Sequence, residues 1–200
     1  GIAQSLIIAE NFIGRDGVCL ILGDNIFYGY NLSEILQQAA RIKNGAMIFG
    51  YYAKDPQRYG VLQLDKKHRV VAIEEKPKKP KSNWAVSGLY FYDNNAVKIA
   101  KKIKPSKRGE LEITSVNNEY AKKGLLRAKL LGRGYAWLDT GTYESLINAS
   151  IFIKTIEDRQ GLKIGCIEEV ALRMGFINKK QLVKLADGMH TSYGEYLKSL

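Results

Sequence analysis

Two aspartates each close a short apolar run. Asp24 follows Val18-Cys19-Leu20-Ile21-Leu22-Gly23, and Asp139 follows Gly134-Tyr135-Ala136-Trp137-Leu138. In open α/β sheets, ligands bind beyond the carboxyl ends of the strands, so acids placed there are the first candidates for chemistry. Two carboxylates meeting at one site could hold Mg²⁺, which takes oxygen ligands and keeps waters and substrate phosphates in its shell. Phosphoryl or nucleotidyl transfer would use such an ion. The same residues also read as a Gly-Asp-Asn turn and as a helix cap at Asp139-Thr140-Gly141-Thr142, and spacing alone favours turn and cap.

A second set joins acid to base. In Glu74-Glu75-Lys76-Pro77 the strand alternation sends Glu75 and Lys76 to opposite faces unless the backbone bends, and Pro77 biases Lys76 toward an extended conformation. One reading has the carboxylate accepting from sugar hydroxyls while the ammonium meets a phosphate; the other is a solvated strand end. Lys107-Arg108-Gly109-Glu110 likewise is either an anion grip at a helix start or a charged turn. The basic stretches 76–81 and 98–108 raise nucleic-acid binding. No recognition helix or RNA platform accompanies them, so solvated surface is the simpler account. Tyr28, in Phe27-Tyr28-Gly29-Tyr30, reads as a loop aromatic that either stacks on a base or packs on the core.

The elements that must position these residues follow from periodicity. The run 18–22 reads as a strand buried on both faces. Leu32, Ile35, Leu36, Ala39 and Ile42 recur at helical spacing, with Asn31 as N-cap and Glu34 completing a capping box. Residues 46–52 form the next strand, which gives a crossover of ordinary length. Residues 60–64 and 69–75 read as a hairpin and 86–92 as a strand. A helix capped by Asp93 runs to 104, a further helix covers 111–123, and strands cover 125–131 and 134–138. Helical periodicity dominates from 143 onward. The expected fold is therefore α/β, with a mixed, largely parallel sheet of Rossmann-like type in residues 1–150 and a helical appendage in 151–200.

Composition bounds the function. The 200 residues carry 31 Lys and Arg against 20 Asp and Glu, a net charge of +11, so anionic partners are expected. Cys19, Cys166, His68 and His190 lack the spacing of a zinc site, and two distant cysteines make no disulfide framework. A reducing cytoplasm fits this usage. No apolar run approaches the roughly 18 residues of a spanning helix.

Taken together, Leu22-Gly23-Asp24-Asn25-Ile26-Phe27-Tyr28-Gly29, Arg58-Tyr59-Gly60-Val61, Glu74-Glu75-Lys76-Pro77, Ser82-Asn83-Trp84-Ala85-Val86, Gly88-Leu89-Tyr90-Phe91-Tyr92-Asp93, Arg108-Gly109-Glu110-Leu111-Glu112-Ile113-Thr114 and the string 132–142 occur in one order. In that order and spacing the chain resembles the glucose-1-phosphate thymidylyltransferase family of sugar nucleotidyltransferases over nearly its whole length. The resemblance implies transfer of a nucleotidyl group from dTTP to α-D-glucose 1-phosphate, giving dTDP-glucose and pyrophosphate on the way to dTDP-rhamnose and related bacterial surface sugars. It implies Mg²⁺ held by Asp24 and Asp139, and a sugar phosphate contacted by Lys76 and Arg108. Tyr59, Gly60, Glu75 and Val86 would line the glucose pocket, and Gly1 would approach the thymine. A homotetramer is implied, with a second nucleotide-sugar site to which Tyr28, Gly29, Arg133, Glu169 and Arg173 correspond. Neither a membrane nor a nucleic acid is an expected partner.

The family's opening Gly-Gly-x-Gly-Thr-Arg loop, whose amides wrap the nucleotide phosphates, does not occur in the sequence. The expectation is an N-terminally shortened chain that is inactive alone. The competing expectations are a catalytically incompetent regulatory homologue and a basic nucleic-acid-binding module. Ser115 and Gly165 depart from the family pattern away from the expected chemistry.

Overall fold

The computed structural model describes residues Gly1–Leu200, which form two compact units, Gly1–Leu146 and Ile147–Leu200. The first unit opens with α1 (Gln4–Ile8) and α2 (Glu10–Ile13), then β1 (Val18–Ile21), β2 (Asn25–Gly29), α3 (Leu32–Ala40) and β3 (Ala46–Tyr52). A single 3-10 turn at Pro56–Arg58 leads into β4 (Gly60–Leu64), β5 (Val70–Glu75) and β6 (Trp84–Tyr92). After these come α4 (Asn95–Ala100), α5 (Ile113–Lys122), β7 (Leu126–Leu131), β8 (Tyr135–Asp139) and the start of α6 (Tyr143–Gln160).

The main sheet runs β5-β4-β6-β3-β7, with β1 added on β6, and β2 pairs with β8 in a separate ribbon. Its organising strand is β6, a nine-residue run whose side chains alternate between two cores. Tyr90 and Tyr92 pack with Leu6, Val97, Val116 and Tyr120 beneath α1, α4 and α5. Leu89 and Phe91 pack with Ala39, Phe49 and Leu131 beneath α3. Each large apolar side chain buried this way contributes roughly 1.5–3 kcal/mol, which is why the longest strand, buried from Ala85 to Tyr92, takes the centre.

The mixed α/β class is as expected, but the pairing is not largely parallel within these residues. β3 and β7 form the parallel pair; the other pairings are antiparallel. β1 and β3 both run antiparallel to β6 and flank it, so the crossover through α3 skips one strand. β1 is not buried on both faces, since Ile21 is 56% exposed and Cys19 is exposed beside it. An apolar run specifies a strand without specifying how many neighbours it has. Asn31 takes a left-handed conformation (φ 61°) and bonds the Glu34 side chain without capping α3, so no capping box forms there. The helix after Asp93 ends at Ala100 rather than at 104. The two short helices before β1 and the strand character of β2 were not expected. α1 and α2 have no side-chain cap bond to announce them.

The second unit holds the remainder of α6, then α7 (Ile167–Arg173), α8 (Lys179–Asp187) and α9 (Ser192–Ser199). Cys166, Leu182, Ala186 and Leu197 form its core. A full capping box between Asn178 and Gln181 starts α8, and the Thr191 side chain caps α9. No helix in the chain is long and apolar enough to cross a membrane.

Candidate active site

Strand ends of the first unit converge on a cavity of about 540 Å³. It is lined by Asp24, Tyr59, Gly60, Glu75, Lys76, Val86, Arg108 and Asp139, the whole set expected for metal, sugar and phosphate, whereas Gly1, expected toward the thymine, is not on its wall. The neighbouring Ile2 reaches the cavity wall. Gly1 instead packs tightly on the backbone of Leu111, and its amino group bonds the Gln4 side chain at 2.6 Å.

The two aspartates meet because β2 and β8 pair. Asn25 stands opposite Asp139 in that register, and the Thr140 N–H donates to the Asp24 carbonyl at 2.8 Å. A Cβ built on Gly141 would lie 3.5 Å from Asp139 Oδ2 and 3.9 Å from Asp24 Oδ2, so both carboxylates border one small space that a side chain there would fill. No third His, Cys, Asp or Glu completes a cluster. A divalent cation at this point would draw its remaining ligands from water and substrate phosphate, the coordination habit of Mg²⁺. The helix cap that the same string also allowed is made by Thr142, whose Oγ1 accepts from the Ser145 N–H at 3.1 Å, leaving Asp139 free of that duty.

Asp139 is engaged on both oxygens. Arg58 Nη2 stands 3.0 Å from Oδ2, and the Tyr59 hydroxyl donates to Oδ1 at 3.0 Å. Arg58 also reaches Asp55 at 3.2 Å and lies over the Tyr59 ring. Burial, and after it the bond to Asp139, push the Tyr59 hydroxyl well above its ordinary value, so it remains a donor throughout the neutral range. Asn25 organises the other carboxylate: its Nδ2 donates to Asp24 Oδ1 at 2.7 Å, while its Oδ1 accepts from Gly88 N and Trp137 Nε1.

On the opposite wall, Glu75 faces Gly60 across the β4–β5 ladder. The Thr114 hydroxyl donates to Glu75 Oε2, and a Cβ on Gly60 would crowd both groups at 3.2–3.4 Å. Lys76 does not take the extended conformation that Pro77 favours. Its φ is +43°, and its N–H donates to the Tyr59 carbonyl at 3.0 Å. For a residue with a Cβ, the left-handed region costs roughly 1–2 kcal/mol. The turn is what brings Glu75 and Lys76 to one cavity instead of to opposite faces of the sheet. Arg108 is ringed by carboxylates, 2.9 Å from Glu110, 3.4 Å from Glu112 and 3.9 Å from Glu75.

Arg58, Asn25, Thr114, Glu110 and Glu112 are not singled out individually by the sequence, and Trp137 reads there only as a packed aromatic of a strand. Alternation along β8 would have placed Trp137 on the face of Asp139; nothing in the spacing of Arg58 announces its reach to residue 139. The residues expected at a second site lie as follows. Tyr28 and Gly29 are on β2, opposite Ala136 and Tyr135, and Arg133 is in the exposed turn before β8. In the second unit Glu169 is buried, accepting from Tyr196 and pairing with Arg173 at 2.5 Å.

Five carboxylates and three cations line the cavity, in a chain whose overall charge is strongly positive. The site is thus a cavity of mixed charge at the strand ends of a mixed α/β sheet. Residues 1–156 match the family model described as nucleotidyl transferase. The glucose-1-phosphate thymidylyltransferase of Neisseria meningitidis serogroup A is 53% identical over 198 residues, covering 98% of this chain and 69% of the relative. That of Xanthomonas campestris pv. campestris is 50% identical over 201 residues, covering the whole chain and 68% of the relative. A Bacillus anthracis crystal structure described as a glucose-1-phosphate thymidylyltransferase, in complex with sucrose, superimposes with a TM-score of 0.68 at 41% identity, over 76% of this chain and 60% of that one. A UDP-glucose pyrophosphorylase at 21% identity (TM-score 0.69, 78% of this chain and 61% of that one) shares the fold. The chain belongs to the nucleotidyl transferase family, and within it to the glucose-1-phosphate thymidylyltransferases.

Proposed function

We propose that this cavity binds glucose 1-phosphate and serves nucleotidyl transfer from dTTP, forming dTDP-glucose and pyrophosphate. The observation that carries the reading is the shared space at Gly141, bordered by Asp24 and Asp139 in the same cavity as Lys76 and Arg108. Mg²⁺, bound by Asp24 and Asp139, would supply charge neutralisation for the polyphosphate. A sugar-phosphate oxygen forms a new bond to the α-phosphorus as the bond to the leaving pyrophosphate breaks. Such an in-line displacement depends on positioning and charge rather than on a covalent nucleophile.

Within this scheme Arg108 exchanges carboxylate partners for the sugar phosphate, and Lys76 adds a second cation from its left-handed turn. Glu75, oriented by Thr114, accepts from glucose hydroxyls, and Gly60 leaves room for the ring beside it. Tyr59 and Asn25 hold Asp139 and Asp24 in place from behind. Formation of a dTDP-rhamnose precursor in the cytoplasm, by a homo-oligomer, completes the proposal on the strength of the sequence resemblance.

The test has two parts. Isothermal titration of the chain with glucose 1-phosphate should show binding that Arg108→Ala and Lys76→Ala weaken. Pyrophosphate release from dTTP should then be measured in a chain joined to a segment carrying the Gly-rich loop, where Asp24→Asn and Asp139→Asn should abolish it. Retention of full turnover in both aspartate variants would remove the metal assignment.

A further inference from the structure

A second cleft in the first unit, of about 990 Å³, shares no lining residue with the cavity above. Lys98, Lys102, Lys104, Lys122 and Lys123 line it, and Glu119 is its one acidic lining residue. Glu119 pairs with Lys122 at 2.6 Å. The other four lysines have no carboxylate within ion-pair distance in the structure. Five positive side chains around one concavity repel one another: Lys98 and Lys122 lie in the last turns of α4 and α5, where the helix dipole favours a cation, Lys123 caps α5, and Lys102 and Lys104 follow α4. The rest of the lining mixes the apolar Ile99, Ile103 and Leu125 with the polar Asn95, Ser115 and Asn118. Asp93, bonded to the lining residues Asn95 and Tyr120, is buried and committed to them and to Gly45, and Glu10 is held by Lys101.

We propose that this cleft is a binding site for a nucleoside polyphosphate, distinct from the cavity bordered by Asp24 and Asp139. The cationic rim complements a chain of phosphates, and lysines suit it because flexible point charges follow a polyphosphate without the forked geometry that arginine brings to a single carboxylate. The apolar part of the lining gives the nucleoside a surface to lie on. The volume stands at the upper end of the roughly 300–1,000 Å³ typical of small-molecule sites. Because the two cavities share no residue, this site stands or falls independently of the reading given under Proposed function.

The experiment is a calorimetric titration of the chain with ATP in magnesium-free buffer, run with glucose 1-phosphate at saturation. Lys102→Glu/Lys123→Glu should weaken ATP binding at least tenfold, and Lys66→Glu/Lys67→Glu, in the exposed turn between β4 and β5 outside both cavities, should leave it unchanged. Lys102→Gln/Lys123→Gln, a milder change at two exposed positions, should weaken it in the same direction, and thermal melting followed by circular dichroism verifies that each variant is folded. Sodium tripolyphosphate should bind more weakly than ATP; equal affinity would overturn the nucleoside part of the proposal. Unchanged ATP affinity in both lysine variants would overturn the site, leaving the lysines as counter-charges to the helix ends. A 20-nucleotide single-stranded DNA that binds more than tenfold tighter than ATP, and is lost in the same variants, would overturn it in favour of a nucleic-acid surface.

Discussion

The two cavities of the first unit handle charge in opposite ways. In the cavity bordered by Asp24 and Asp139 both arginines are already held by acids: Arg58 lies between Asp55 and Asp139, and Arg108 among Glu75, Glu110 and Glu112. In the lysine cleft one glutamate answers five ammonium groups. A cation held by a carboxylate is oriented before any ligand arrives, and ligand binding then exchanges one anion for another. An unpaired lysine is free to follow a ligand but is not preorganised for it. The first arrangement favours geometry, which in-line transfer requires; the second favours capture of diffuse negative charge. α5 contributes to both, placing Thr114 from its first turn in one cavity and Lys122 from its last turn in the other.

The largest effect that would break this contrast is loss of the paired aspartates. Asp24→Asn and Asp139→Asn should each reduce Mn²⁺ affinity, measured by electron paramagnetic resonance, by more than the ~10–100-fold typical of losing a group that merely orients a ligand. Next is Arg108→Ala. Hydrogen bonds to a charged group contribute about 1.5–3 kcal/mol, so glucose 1-phosphate affinity should fall roughly 10- to 100-fold. Arg108→Lys should recover only part of it, because three carboxylates and a phosphate are matched to a fork rather than to a point charge.

Beneath the lysine cleft, Asp93 sharpens the comparison through pH. Burial works to raise its carboxyl, but hydrogen bonds from the Tyr120 hydroxyl, the Gly45 N–H and Asn95 outweigh that and hold it below the ordinary value. The folded value being depressed, its contribution to stability is present above about pH 4 and is lost as pH falls through the lower, folded value. Chemical denaturation across acid pH should show this slope, and Asp93→Asn should flatten it while destabilising the fold by about 1–3 kcal/mol. The smallest effect has the opposite sign. Arg58 competes for Asp139 Oδ2, and a pair this exposed contributes about 0.2–1 kcal/mol, so Arg58→Gln should tighten Mn²⁺ binding by about 1.4-fold to fivefold. Weaker binding in that variant would mean that Arg58 supports the metal geometry instead of contesting it.

Most strands could be read from periodicity because β3, β4, β5, β7 and β8 carry their apolar residues in short runs bounded by turn residues. Pairing direction could not. β6 alone looked no different in kind from β1, yet β6 is flanked on both edges while β1 pairs along one. β2 was hidden because its three apolar residues stand between Asn25 and Gly29, directly after Gly23-Asp24, a composition that reads as turn and loop. At the site, Glu75 and Lys76 carried the correct residue types, but their convergence depends on a left-handed Lys76 that local preference opposes. That conformation survives because the Tyr59 carbonyl accepts its N–H, a contact with a residue seventeen positions earlier.

Sequence by itself determined which chemical groups the chain carries, their order, and the local periods that make a strand of residues 84–92 or a helix of residues 32–40. Only the tertiary structure decided that Asp24 and Asp139 border one space, that Arg58 reaches across 81 positions to the second of them, and that five lysines from two helices and a loop surround a single cleft. The reason is physical: backbone preference and hydrophobic period act over a few residues, whereas the meeting of distant side chains is set by strand register and by which faces share a core, and these emerge only when the whole chain packs.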